Sequence, residues 1–256
     1  MAFNKDSVGG TLIAAFLICL VCGIVVSTAA VSLRPMQNEN RVLDRQTNIL
    51  VAAGLYEEGI DVPKVFDEVE RQFIELGTPN VVDASEVPED YDQRDPVEST
   101  RLSSEEDIAS IRELPKWGEV FLVRDDNDAI ETIVLPIQGY GLWSTMYGFL
   151  SLEGDANTIS GLVFYDHGET PGLGAEIENK NWRALWEGKK LLSPDGDLIF
   201  EVIKGSVDDR TPNKDNKVDG LSGATLTSKG VSNMVRFWMG DKAYGPYLES
   251  IRESGN

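Results

Sequence analysis

The chain has 256 residues, 41% of them hydrophobic and 26% charged, enough apolar content for one large globular domain or two small ones. Its formal charge of -20 at pH 7 argues against a basic patch for nucleic acid or anionic lipid. Both cysteines, Cys19 and Cys22, sit in an apolar stretch near the N-terminus, so the rest of the chain has no thiol for a disulfide or a thiolate site, and any redox chemistry there needs a cofactor.

Residues 1–10 read as a short tail. Residues 11–33, TLIAAFLICLVCGIVVSTAAVSL, carry no charge. At roughly 1.5 Å per helical residue they reach about 30 Å, the thickness of a bilayer core. The length predicts a retained transmembrane anchor. The rival is a cleaved signal peptide, whose apolar core runs roughly 7–15 residues and for which STAAVS supplies small residues near a cleavage point. Lys5 and the α-amino group precede the segment, and Arg34, Arg41 and Arg45 follow it. A simple positive-inside count keeps the following domain in the cytoplasm, although long acidic domains cross regardless of that bias.

Residues 34–112 read as a helical and acidic linker region. NENRVLDRQTNILVAAG, 38–54, predicts a helix that ends at Gly54. DVPKVFDEVERQFIELG, 61–77, predicts a second, with Pro63 in its first turn, Val65, Phe66, Val69, Phe73, Ile74 and Leu76 at apolar spacing, and Gly77 past its end. The polar, acidic stretch 78–112, with Pro79, Pro88 and Pro96, reads as a linker or a surface insertion, a partner-facing or spacer element with a short helix near 103–111.

From 113 to 256 the pattern is that of a folded domain. GEVFLVRD and AIETIVLPI flank a polar hairpin turn; YGFLSL, TISGLVFYDH and LIFEVIKG are further strands. NWRALWEGK predicts a short helix, and LTSKGVSNMVRFWMG a longer one with Leu226, Val231, Met234, Val235 and Trp238 on one face; the C-terminal stretch adds a helical turn. The fold class is α+β: an antiparallel-rich sheet with peripheral helices, preceded by one N-terminal transmembrane helix.

Three stretches carry chemistry. DGLSGATLTSKGV, 219–231, crowds hydroxyls around glycine where a helix begins. Ser222 is placed to cap a helix starting near Gly223 or Ala224, and Gly220 and Gly223 allow close approach to a backbone whose first-turn amides favour an anion. The pattern serves a plain cap or a phosphate; a nucleotide P-loop, GxxxxGK[ST], is absent. HGETPGLGAEI, 167–177, predicts a type II turn at Pro171-Gly172 with Gly172 at positive φ. Glu169 and Thr170 precede it, and Gly174 keeps the next backbone segment thin, fit either for a surface turn or for lying against a flat ring. LPIQGYGLWSTMYGFLSL, 135–152, places Trp143 among glycines, either as a cover for an aromatic ligand or as a core tryptophan in a bulged strand. His167, the single histidine, reads as a loop hydrogen-bonder rather than a metal ligand. Lys204 and Lys229 are candidates to face a phosphate, though solvated lysines are the default.

Asp219-Gly220-Leu221-Ser222-Gly223-Ala224-Thr225 resembles the recognition sequence for covalent flavinylation. There a flavin transferase uses FAD to esterify the FMN phosphate onto the last threonine, here Thr225. The ETPGLG loop resembles that of FMN-binding domains in ion-pumping redox complexes. Together with NILVAAGL and LPIQGYGLWSTMYGFL, nearly the whole chain is similar to the C-subunit family of Na+-translocating NADH:quinone oxidoreductases; the G subunit of RNF electron-transport complexes shares the last two motifs. The resemblance implies covalent FMN on Thr225, with cofactor contacts from Asp219, Gly220, Ser222, Gly223, Ala224, Thr227, Glu169, Thr170, Gly172, Leu173, Gly174, Trp143 and Lys204, and no metal. It implies a subunit without a complete active site of its own, relaying electrons among the other subunits of a membrane redox complex. It also implies a single-pass protein of a bacterial inner membrane with its soluble domain periplasmic, against the charge count. A membrane-tethered binding or assembly module with an unmodified Thr225 is the reading from a different class.

Overall fold

The computed structural model describes residues 8–255, so Lys5 and most of the expected tail lie outside the described residues. Helix α1 runs Val8–Ala52, so residues 8–10 of that tail are helical. It contains a window of mean hydropathy 2.7 and is long and apolar enough to cross a membrane. Two compact units divide the chain, Met1–Arg45 and Gln46–Asn256. The helix ends where predicted: Gly54 has φ +75°, and its amide and that of Leu55 donate to Val51 and Leu50.

The expected second helix is wrong over most of its length. Only Val62–Phe66 is helical, as α2. Glu70–Glu75 is instead strand β1, paired with β2 (Val81–Val82) on one side and with β5 (Trp117–Arg124) on the other. Short strands β3 (Ser99–Arg101) and β4 (Glu113–Pro115) form a separate ribbon. The main sheet continues with β6 (Ile130–Tyr140), β7 (Thr145–Glu153) and β8 (Ile159–Asp166), in the order β2-β1-β5-β6-β7-β8 with every pairing antiparallel. The hairpin read between 118 and 137 is the β5–β6 pair.

Successive residues on a strand face opposite ways, and this sheet buries both faces. Ile133 and Leu135 of β6 and Leu150 of β7 join the larger core, with Val231, Met234, Val235 and Trp238 of α4 (Thr225–Trp238) and Leu248 of α5 (Gly245–Ser254). Val134 and Phe149 face the other way and pack with Ile49, Leu50, Ala52 and Val62. Leu226 departs from the predicted apolar face of α4 and is exposed. The expected helix at 181–189 is one turn of α3 (Lys180–Arg183) followed by a 3-10 turn, and the expected strand at 198–205 narrows to β9 (Glu201–Val202), parallel to β10 (Lys217–Val218).

The acidic stretch 78–112 is docked onto the sheet, without the short helix expected at 103–111. Buried Gln93 accepts from the Glu119 amide at 2.9 Å and the Tyr244 hydroxyl at 3.1 Å and donates to the Pro136 carbonyl at 3.3 Å. The Ala109 carbonyl accepts the Tyr140 amide at 2.8 Å, so this stretch braces the end of β6 that leads into the Trp143 loop. A spacer would not be tied down this way. Gln93→Ala is expected to lower the unfolding free energy of the full chain in detergent by roughly 2–3 kcal/mol, as buried partners are left unmatched, while exposed Asp95→Ala changes it by less than about 0.5 kcal/mol. Chemical denaturation measures both.

Candidate functional site

The three sequence motifs meet at one buried carboxylate. Glu169 is 5% exposed. Its Oε1 accepts the amides of Leu142 and Trp143, each at 2.9 Å, and its Oε2 accepts the Thr227 hydroxyl at 2.5 Å. One side chain thus joins the loop after β6, the 168–174 loop and the first turn of α4. The Ser144 hydroxyl adds a second tie by accepting the Gly168 amide at 2.5 Å. Burial works to raise the Glu169 pKa, but the Thr227 hydroxyl and the Trp143, Leu142 and Ser144 amides outweigh it and hold the group below its ordinary value.

Glu169 therefore serves as a staple: both carboxylate oxygens are engaged within the protein. Thr227, also expected at the cofactor, is fully buried and spends its hydroxyl on Glu169. Ser228, one residue on, is buried and donates to the Ala224 carbonyl at 3.1 Å while accepting the Leu221 amide at 2.9 Å. Ser222 does not cap α4: the cap position is Ala224, with no side-chain hydrogen bond, and the helix begins at Thr225. Asp219 is likewise structural. Its carboxylate accepts the Val207 amide at 2.7 Å and its carbonyl accepts the Trp182 indole at 2.8 Å. A Cβ at Gly220 would collide with the Ile203 carbonyl, so that glycine serves the backbone beside β9 rather than an approaching anion.

What remains exposed in the motif is Ser222, Gly223, Thr225, Leu226 and Lys229. Thr225 opens α4 where the first-turn amides lack intrahelical acceptors and no side chain caps them. It borders a cavity of about 300 Å³ that also takes in Lys204, Lys229, Asn233 and Arg236. Lys204, Lys229 and Arg236 have no carboxylate within ion-pairing distance among the described residues, and Glu201 is the acid on the same wall. Arg236 was not singled out by sequence, although it follows Lys229 by seven residues, two turns along the same helix face.

Apolar surface collects on the loops held by Glu169. Trp143 is 64% exposed, which rules out the core-tryptophan reading; Leu142, Leu173 and Leu226 are exposed as well. Gly172 has the expected positive φ, +75°, and the Leu173 and Ala175 amides donate to the Thr170 carbonyl, closing the turn with Thr170, Pro171 and Gly172 exposed. Gly174 is buried: a Cβ there would lie 2.5 Å from Glu169 Oε2 and 2.7 Å from Thr227 Oγ1. Gly223 has φ +75°, and a Cβ on it would lie 2.9 Å from Leu173 Cδ2, which sets the ETPGLG loop directly against the turn before Thr225. His167 is a loop hydrogen-bonder, its Nδ1 accepting the Glu169 amide at 3.1 Å and its Nε2 lying 2.9 Å from Glu178.

Residues 141–240 match the FMN-binding domain family. The chain is 46% identical to the C subunit of the Na(+)-translocating NADH-quinone reductase of Pseudomonas aeruginosa over 98% of each chain, and 44% identical to the protein of that name in Vibrio anguillarum over 100% of this chain and 99% of the relative. Among solved structures it is similar to NqrC of Shewanella oneidensis, with a TM-score of 0.73 and 33% identity across 82% of this chain and 97% of that one.

The buried carboxylate makes a pH prediction. A folded-state pKa held below the unfolded value contributes stability that is present above the unfolded value and lost as pH falls through the folded one. Stability of the full chain should therefore drop on acidification through and below the ordinary glutamate range, and Glu169→Gln should flatten that part of the curve while costing roughly 2–3 kcal/mol at neutral pH. Thermal melts from pH 7 down to about 3 measure both arms.

Proposed function

The chain belongs to the C-subunit family of Na(+)-translocating NADH-quinone reductases, and on that premise we propose that it is a membrane-anchored flavoprotein with FMN held as a phosphoester on Thr225. The identity of its relatives as C subunits sets aside the RNF alternative. The observation that carries the reading is the sorting of hydroxyls within one motif: Thr227 and Ser228 are buried and bonded, whereas Thr225 is exposed at an uncapped helix start beside Lys204 and Lys229.

The residues present fit a flavin phosphate. Gly223 leaves the approach to Thr225 without a side chain, the amides opening α4 and the two lysines offset a phosphodiester charge, and Leu142, Trp143, Leu173 and Leu226 give a flat ring an apolar surface that displaces water. Attachment by a flavin transferase balances as an exchange at phosphorus: the Thr225 oxygen–phosphorus bond forms, the pyrophosphate bond of FAD breaks, AMP leaves and the hydroxyl proton is released. When bound, FMN supplies a centre that accepts and passes on one or two electrons. The task of this chain is to hold that centre. Glu169 fixes the three loops around Thr225, and the ester keeps the cofactor through any number of turnovers.

In this reading α1 crosses the bacterial inner membrane, the flavin domain is periplasmic, and the other subunits of the complex supply and remove the electrons. The anchor confines the search for those subunits to the membrane surface. The three arginines after the apolar segment run against that orientation by the positive-inside count, and the size of the acidic domain overrides them.

The test is the protein from a host with the flavin transferase. Denatured on a gel, the native chain should show fluorescence migrating with the polypeptide, Thr225→Ala should lose it, and Ser222→Ala should keep it, as should Thr227→Ser, which preserves the hydroxyl bonded to Glu169. The peptide spanning 218–229 should carry one FMN less one water by mass spectrometry. A native chain of bare polypeptide mass would overturn the proposal.

A further inference from the structure

We propose that a second cavity, separate from the Thr225 groove, binds a small oxoanion, a phosphate or carboxylate group, through Arg183, Lys180 and Ser160. The cavity holds about 350 Å³ and lies between Val51–Tyr56, the start of β8 and the short helix α3. Two of its lining residues carry donors that nothing satisfies: Arg183 Nε and Ser160 Oγ are both buried without a hydrogen-bond partner. The contact that Arg183 does make, from Nη1 to the Leu162 carbonyl, is long at 3.4 Å. Among the described residues no carboxylate lies within 4.0 Å of either Arg183 or Lys180.

A half-buried guanidinium with an idle N–H is costly, because the charge has left water without gaining an acceptor. The desolvation shows in the direction of the Arg183 pKa, which burial lowers, only partly opposed by the field of Glu178. Water filling the cavity would satisfy the N–H and O–H groups but would bring no negative charge within ion-pairing distance of the half-buried Arg183. An oxoanion answers both needs: its oxygens accept from the planar guanidinium fork and the Ser160 hydroxyl, and its charge offsets Arg183 and Lys180. In a chain of net charge -20 such a site has to be local, and here the two cations are three residues apart on one helical turn.

Glu187 also lines the cavity, one turn beyond Arg183, without pairing to it. It separates the two accounts of the pocket. If the cavity takes an anion, Glu187 opposes it; if Glu187 itself closes onto Arg183, the site is internal and takes no ligand. Occupancy would also reach the flavin motif. Trp182, between the two cations, gives its indole N–H to the Asp219 carbonyl at 2.8 Å, so a ligand fixing α3 steadies the turn that leads to Thr225.

The experiment is isothermal titration of the full chain in detergent with sodium phosphate, then with sodium succinate, at ionic strength matched with chloride. Saturable binding of one phosphate or one succinate per chain is expected. Arg183→Gln should weaken it roughly tenfold or more, as the loss of a charge-assisted hydrogen bond does. Ser160→Ala should weaken it less, and Glu187→Gln should tighten it. Lys204→Gln and Lys229→Gln should leave this site unchanged; in a chain without FMN on Thr225, a second phosphate bound in the groove would be lost in those variants alone, which separates the two sites. Absence of saturable binding by both anions overturns the proposal, as does binding that persists in Arg183→Gln but disappears in the Lys204 or Lys229 variants. If Arg183→Gln does not fold, the Ser160 and Glu187 variants decide: affinities unchanged in both overturn it equally.

Discussion

The carboxylate of Glu169 joins three loops that are far apart in sequence, and the surroundings of Thr225 depend on that junction. Taking a carboxylate out of water costs several kcal/mol. Here the cost is met by two backbone amides and a hydroxyl, and the result is geometric: residues 142–143, 168–174 and 225–227 cannot move independently. A cofactor held by loops needs such a brace, because loops contribute few buried apolar contacts of their own. The apolar side chains at the junction, Leu142, Trp143, Leu173 and Leu226, are exposed, so their burial does not supply the rigidity; the polar staple does.

The start of α4 consequently has two unlike sides. One borders the exposed apolar residues on the stapled loops. The other is the groove with Lys204, Lys229 and Arg236. Thr225 lines that groove, and Gly223, two residues before it, lies against Leu173; the division suits the ligand proposed above, which carries a charged phosphate and a flat apolar ring. The internal bonds of Thr227 and Ser228 matter as much as the exposure of Thr225, because they take the neighbouring hydroxyls out of competition.

Much of this was legible from sequence, and the failures have physical reasons. The β5–β6 hairpin, the end of α1 at Gly54, the positive φ of Gly172 and the body of α4 follow from local patterns that the tertiary structure leaves intact. Residues 70–75 did not, because Val69, Phe73, Ile74 and Leu76 suit a helix face about as well as a strand buried on both sides. Pairing with β5 and β2 decided between them, and no local signal carries that. The acidic stretch 78–112 reads as a linker because its charged residues dominate the composition, while what docks it is the two-residue strand β2 and a few single residues, Tyr91, Gln93 and Ala109. The three motifs come together in the fold, but Glu169 and Thr227, expected at a cofactor, bond to each other instead, since spacing alone does not reveal which polar side chain is turned inward.

The glycines of the motifs show the same shift in meaning. A Cβ at Gly141 would lie 2.5 Å from Glu169 Oε1, and one at Gly174 would lie 2.5 Å from Glu169 Oε2; at Gly230, within α4, it would lie 2.5 Å from the Tyr140 carbonyl. Read from sequence, Gly174 keeps its segment thin, fit either for a surface turn or for lying against a flat ring. In the structure these three make room for protein: two for the carboxylate, one for the strand end that carries the 141–144 loop to it. The ETPGLG loop therefore needs its last glycine for the same reason that it needs its glutamate, and the glutamate needs the second threonine of A-T-L-T. Of the two threonines there, one is held inside by this staple, and the other is left exposed at the start of the helix.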